Sequence, residues 1–457
     1  MATAINYAYR YPFESAVVDT ATKPALRLAT SLDGSSDDLF FDGKLRQPAV
    51  VGNALSILST IVRTRFYEKL NPVLLDPVVT SGGGMLRFEG FSSCCGVYAR
   101  VDLSSDAFDA ELRGEGTTNV DFNDEMRSAL RRLTDRDDAQ LQVGGTGVTL
   151  RRESDTVIER KVKMPIRWIK GFCEVQAYQP RMIPYFELSP LEARDLFRQF
   201  PKGGNSKIAT HITRTGRIIR LASRATPGSV KLVGSERVLV LEPLIEHLKS
   251  LQIWYDEESE TNAWELKFDV GRLFVLISPE LNRGFSGEGQ MLSRLAGGQW
   301  QRAMSGVAEA LNWQSQIDTA LIGGRIGESE AAVESALAVL GSRGLVGFDV
   351  TTSKYFHRVL PFDAEQLETN QPRLVAAREL VASNGVRSAE TPDESNWLVQ
   401  GTGVEHFVRL RPTVNRCTCQ WFNRYQGNRG PCKHILAAQL VADGEDSPSI
   451  RLMEHEI

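Results

Sequence analysis

Apolar and polar positions up to about residue 280 follow a recurring order: a helix-spaced segment, then about three short alternating runs. The first helical segment covers Val50–Leu70, and the strand-like runs after it end near Leu103. VDFNDEMRSALRRLTD (Val120–Asp135) is the second, ahead of AQLQVG, GVTLRR and TVIERKVKM. SPLEARDLFRQF (Ser189–Phe200) is the third, ahead of the hairpin-like KIATHITRTGRIIRLAS and a run near Val230. ERVLVLEPLIEHLKSL (Glu236–Leu251) is the fourth, ahead of QIWYDE, AWELKFD and GRLFVLIS. A helix followed by strands, repeated at spacings of roughly 50–70 residues, predicts internal duplication.

The pattern then changes. Helical spacing around Arg302–Leu311 and Ile317–Ile322 leads to a helix capped by Ser329, with Val333, Leu337 and Leu340 on one face and Gly344 closing it. Two strands flank the turn Thr351-Thr352-Ser353. This order predicts a winged helix-turn-helix, a fold that often reads DNA through its second helix. Here that helix opens with Glu330 and Glu334 and has no Lys or Arg before Arg343, so protein packing is the expected role. Further on, WLVQGTGVEHFVRL alternates about a Gly-Thr-Gly turn and predicts a hairpin, while CKHILAAQLVADG predicts a short helix stopped by Gly444.

Between that hairpin and helix lie Cys417, Cys419, Cys432 and His434, spaced C-x-C-x12-C-x-H. Thiolate sulfur and imidazole nitrogen suit zinc, and four protein ligands make a closed, structural site. Residues two apart on an extended strand share a side, so Cys417 and Cys419 can be offered together. Cys94, Cys95 and Cys173 sit in apolar strand-like surroundings and read as core residues. Six cysteines in 457 residues make no disulfide framework and fit a reducing cytoplasm. The opening MATAINYAYRYPFESAVVD lacks a basic segment followed by an apolar one, and no apolar run approaches the roughly 18 residues of a membrane span. A cytoplasmic, membrane-free protein is expected.

The four ligands, the hairpin before them and the helix beginning at the last pair resemble the SWIM zinc finger over about Trp397 to Asp443. The resemblance implies one zinc ion, and DNA binding or protein–protein contact as the role. For bacterial proteins of this type it also implies partners among AAA+ ATPases and von Willebrand A-domain proteins. The repeated helix-plus-strands order over Gln47–Pro279 resembles the DNA sliding clamp, most closely in GVYARVDLSSDAFDAELRGEGTTNVDFNDEMRSALRRLTDRDDAQLQV. That resemblance implies basic helices facing one concave side and an assembly of several copies. The fold class expected is α+β multidomain: a sliding-clamp-like repeated region, then a winged helix, then a C-terminal SWIM finger. Its expected divisions are an arm (1–46), two clamp-like domains (47–165 and 166–285), a winged-helix-like domain (296–362), a helical linker (363–396), the finger (397–444) and a tail (445–457).

Net charge is only −4, with 42% hydrophobic and 24% charged residues, but the charge is unevenly placed. From Leu196 to Ser235 there is no acidic residue, while Arg198, Lys202, Lys207, Arg214, Arg217, Arg220, Arg224 and Lys231 are present. Arg194, Arg198 and Lys202 repeat at helical spacing, as do Arg127 and Arg131. The finger adds Arg409, Arg411, Arg416, Arg424, Arg429 and Lys433, with Trp421, Phe422 and Tyr425 among them. Nucleic-acid contacts are therefore expected at Arg127, Arg131, Arg194, Arg198, Lys202, Lys207, Arg214, Arg217, Arg220, Arg224, Arg424, Arg429 and Lys433, with DNA favoured. No phosphate loop and no HExxH pair is present, and GFSGE (Gly284–Glu288) has Glu288 where a nucleophile elbow needs glycine. A non-catalytic protein is expected. The reading that leads is nucleic-acid binding through basic surfaces; the alternative is an adaptor for an AAA+ ATPase and a von Willebrand A-domain partner.

Overall fold

The computed structural model describes residues 39 to 442, except 65, 67–76, 113, 121, 153–154, 162–163, 165, 203–208, 217, 282–283, 286–288, 290–299, 361–371, 390–394, 412–413 and 428; it adds two short paired strands, Ala16–Asp19 and Pro24–Arg27. Most of the expected arm and all of the tail at 445–457 lie outside the described residues.

The fourfold order is present in the elements themselves. Helix Pro48–Arg63 precedes strands Val78–Gly82, Met85–Phe91 and Val97–Leu103; helix Asp124–Arg131 precedes Ala139–Gly144, Gly147–Arg152 and Asp155–Arg160. Helix Pro190–Gln199 precedes Ala209–Thr215, Ile218–Ala222 and Val230–Val233. The fourth unit departs from expectation: helix Glu236–Leu239 gives way to a 3-10 turn, Glu242–His247, before strands Ser250–Asp256, Thr261–Phe268 and Gly271–Ile277. Pro243 lies in that turn, and its missing N–H and fixed φ forbid a continuous α-helix from Glu236 to Leu251. The first helix also stops early, at Arg63, because Thr64 is already extended.

Antiparallel pairing of Gly271–Ile277 with Val97–Leu103 joins the halves into one eight-stranded sheet. Its order is Ile183–Leu188, Ser250–Asp256, Thr261–Phe268, Gly271–Ile277, Val97–Leu103, Met85–Phe91, Val78–Gly82, Gly116–Asn119. A helix that the sequence pattern did not predict, Ile166–Tyr178, packs against this assembly. It carries buried residues on several sides, including Trp168, Phe172, Cys173, Val175 and Tyr178, so it lacks the polar stripe that marks a surface helix.

Helices Trp300–Ala310, Thr319–Ile326 and Glu330–Ser342 and the hairpin Val346–Asp349/Lys354–His357 follow. Ser329 caps the third helix, its hydroxyl accepting from the Ala332 amide at 3.2 Å, and Gly344 takes a left-handed φ of 79° after it. Glu330–Ser342 is buried from Ala336 to Ser342, packed between Trp300–Ala310 and Ile166–Tyr178, and exposes Glu330, Ala331 and Glu334 in its first turns, where the carboxylates would repel phosphate. One hydrophobic core runs from Phe40 to Leu360 and includes this helical unit.

Charge reinforces the junction. Arg100 donates to Asp102 at 2.8 Å on its own strand, to Asp349 at 2.9 Å and to the Phe348 carbonyl at 2.9 Å. Arg272 pairs with the same two carboxylates, and Arg87 donates to the Ser315 carbonyl at 3.0 Å. Arg358, from the end of the hairpin, pairs with Glu89. A second core, from Leu374 to Leu440, holds the C-terminal unit. Among the described residues no helix is long and apolar enough to cross a membrane.

Candidate metal centre and basic surfaces

The C-terminal unit is a four-stranded sheet in the order Val386–Ser388, Asn396–Gln400, Glu405–Arg409, Arg416–Cys417, with helices Pro372–Ala382 and Lys433–Ala442 packed together. Cys417 ends the last strand, paired with Val408. Cys419 has left the strand and caps helix Gln420–Tyr425, its sulfur accepting from the Phe422 amide at 3.3 Å. The Cys419 amide in turn donates to the Cys417 sulfur at 3.4 Å. Cys432 immediately precedes, and His434 belongs to, the first turn of Lys433–Ala442.

All four ligand residues are buried, and their ligand atoms lie within 4.8 Å of one another. A tetrahedral zinc with Zn–S of about 2.3 Å and Zn–N of about 2.0 Å needs ligand–ligand edges of roughly 3.5–3.8 Å. Cys417 Sγ lies 3.9 Å from His434 Nδ1, close to that edge. Hydrogen bonds from Cys417 and Cys432, then His434 and the Phe422 amide, hold the Cys419 thiol far below the usual thiol range; the contact with Cys419 pushes Cys417 up. Three thiolates and an imidazole converging in this way are the donor set that a divalent cation takes. The set fits zinc. With four protein ligands it is a structural centre that ties strand, turn and helix together.

Arg373, on helix Pro372–Ala382, contributes a feature that the sequence pattern did not signal. Its Nη1 donates to the carbonyls of Arg429 and Pro431, at 2.7 and 2.8 Å, and so fixes the approach to Cys432. Its guanidinium also lies 4.7 Å over Trp421. Trp421 and Tyr425 pack at 5.0 Å, and Arg429 and Arg424 lie over the Tyr425 ring at 4.8 and 5.4 Å. Phe422, by contrast, is buried in the core. The segment expected as a linker therefore supplies helix Pro372–Ala382 and strand Val386–Ser388 to this unit.

The SWIM zinc finger family model matches residues 406–441. The chain carries a SWIM zinc finger. The match stops short of the Arg373 helix and the first two strands, which share the finger's sheet and core. Among solved structures, proliferating cellular nuclear antigen from Entamoeba histolytica is similar at 12% identity with a TM-score of 0.37, covering 53% of this chain and 99% of that one. No curated protein matches the sequence.

Several of the basic residues outside the SWIM finger have carboxylate partners. Arg127 pairs with Asp124 at 3.0 Å, Arg198 with Asp195 at 3.5 Å, and Lys202 with Glu242 at 3.5 Å. Arg194 and Arg198 line an open cavity of about 260 Å³ whose other charged residues are Glu242 and Glu246. Arg214 is held by Glu192 at 2.7 Å, and Lys231 pairs with Glu260. In their antiparallel hairpin Arg214 lies opposite Ile219, and Arg220 opposite Thr213, so the two arginines point to opposite faces. Within the stretch that has no acid in sequence, Arg214, Lys202 and Lys231 are thus paired in space with Glu192, Glu242 and Glu260. Arg131, Arg220 and Arg224 are exposed and make no ion pair among the described residues; Lys207 and Arg217 lie outside them. In the finger, Arg424, Arg429 and Lys433 make no ion pair among the described residues, nor do Arg409 and Arg416.

Proposed function

We propose that the protein is a non-catalytic nucleic-acid-binding protein whose contact surface is the zinc-held SWIM finger, with the N-terminal half and helical unit as its rigid support. One contrast carries this reading. Outside the finger, Arg127, Arg198, Lys202, Arg214 and Lys231 have carboxylate partners, and Arg131, Arg220 and Arg224 have none among the described residues; in the finger Arg409, Arg416, Arg424, Arg429 and Lys433 all lack one among the described residues, within one small zinc-held unit. Cations without carboxylates are those that phosphates can neutralise. The helical order of the middle unit favours packing over groove reading, since Glu330–Ser342 is buried from Ala336 onward and exposes Glu330 and Glu334 at its start.

Fluorescence anisotropy with labelled oligonucleotides tests the proposal. Zinc-loaded protein is expected to bind, with log affinity falling linearly in log salt by about 0.7–0.9 per phosphate contact. Removing zinc with a chelator, or Cys432→Ala, is expected to abolish that binding. Absence of salt-dependent binding by the zinc-loaded protein would sink it. A second reading, an adaptor for a protein partner, is favoured by one observation: Trp421, Tyr425 and their arginines have the composition of interface anchors.

A further inference from the structure

Among the described residues, helix Lys433–Ala442 packs on one face of the SWIM finger's sheet. Val399, Val408 and Cys417 point inward and are buried, against helix Lys433–Ala442. Register places the alternate positions on the other face: Leu398 lies opposite Phe407 and Arg387, Gln400 opposite Glu405, and Arg409 opposite Arg416. Phe407 is half-buried there, and its backbone is fixed on both sides by Thr418, at 3.0 and 3.1 Å. Glu405 holds Arg387 at 2.9 Å and is thereby neutralised. Arg409 lies 5.4 Å over the Phe407 ring.

That leaves two exposed guanidiniums, Arg409 and Arg416, directly across from each other with no carboxylate partner among the described residues. Like charges in directly opposed positions destabilise a strand pair. An anion bridging them would relieve the repulsion, and the apolar Phe407 ring, two residues along the strand from Arg409, offers a place for a flat, uncharged group on the same ligand.

We propose that this open face, centred on Phe407, is a platform for single-stranded nucleic acid. A base stacks on Phe407 beside Leu398, and Arg409 and Arg416 hold the flanking phosphates. The inference rests on the nucleic-acid reading of the SWIM finger and specifies its site and ligand form. A duplex keeps its base faces stacked on one another, so it cannot offer one to a ring on a flat sheet; an unpaired strand can. An acidic peptide would satisfy the arginines but leave Phe407 without a stacking partner.

The test uses the full-length, zinc-loaded chain and a labelled thymidine oligomer of about 16 nucleotides. A duplex of similar length and poly-glutamate serve as comparisons. Phe407→Leu is expected to weaken oligomer binding roughly 5- to 150-fold, while Phe407→Tyr, which keeps the ring, binds as the unaltered chain does. Arg409→Gln with Arg416→Gln is expected to flatten the salt slope by about 1.4. Zinc content and circular dichroism report whether each variant is folded. The proposal is overturned if folded Phe407→Leu binds as tightly as the unaltered chain, if duplex binds as well as single strand, or if poly-glutamate displaces the oligomer at equal charge concentration. Failure of the unaltered chain to bind any nucleic acid would instead overturn the parent reading.

Discussion

Replacing Asp349 by asparagine removes a carboxylate that two guanidiniums share across the junction between the eight-stranded sheet and the helical unit. Arg100, fully buried, donates to it at 2.9 Å, and Arg272 pairs with it from the neighbouring strand. Taking away one partner of a buried ion pair costs about 3–5 kcal/mol, because the other charge stays in a low dielectric. Arg100 keeps Asp102 at 2.8 Å and asparagine keeps one acceptor oxygen, so the lower end, about 3 kcal/mol, is expected. That is a large share of the roughly 5–15 kcal/mol that separates folded from unfolded states of a typical domain. Urea unfolding followed by tryptophan fluorescence should show a lower midpoint in a single main transition, since one core spans the sheet and the helices. A loss under about 1 kcal/mol, or a separate early transition of the helical unit, would refute the account of this junction.

The same residues set an acid limit. Burial alone would raise the carboxyls of Asp102 and Asp349, but Arg100 and then Arg272 override it and hold both below the usual carboxylate range. A depressed folded-state value gives stability that is fully present above about pH 4 and is lost as pH falls below it. Asp349→Asn should therefore flatten the acid limb of the stability curve, which repeating the urea series between about pH 2 and 6 would check. Cys432→Ala should remove the zinc, one per chain in plasma emission analysis, and melt the Leu374–Leu440 core while leaving the larger core folded by hydrogen exchange. Arg373→Met should leave the Arg429 and Pro431 carbonyls without this donor and weaken zinc retention about 10- to 100-fold in a chelator competition, as outer-shell supports do.

Much of this was written locally in the chain. The helix-then-strands order shows because each strand alternates and each turn is polar, as in GVTLRR after AQLQVG. The metal centre shows because its ligand types and spacing are rare, and Ser329 shows because capping is a short-range interaction. What failed to show depends on distant partners. Helix Ile166–Tyr178 has no polar stripe because neighbours enclose it on several sides. Glu192, Glu242 and Glu260 neutralise Arg214, Lys202 and Lys231 across gaps that no window of sequence spans. Arg373 reaches the carbonyl of Pro431 from another helix, and only strand register sets Arg409 against Arg416.

We propose that the SWIM finger, and not the sequence-basic N-terminal half, meets the phosphates. The salt dependence of affinity for a single-stranded oligomer tests it most directly, measured in parallel on two sets of substitutions. One set is Arg424→Gln, Arg429→Gln and Lys433→Gln; the other is Arg214→Gln, Arg220→Gln and Arg224→Gln. If the three finger cations each meet a phosphate, the first set flattens the slope of log affinity against log salt by about 2, and the second leaves slope and affinity unchanged. A flattened slope in the second set with none in the first would contradict the account.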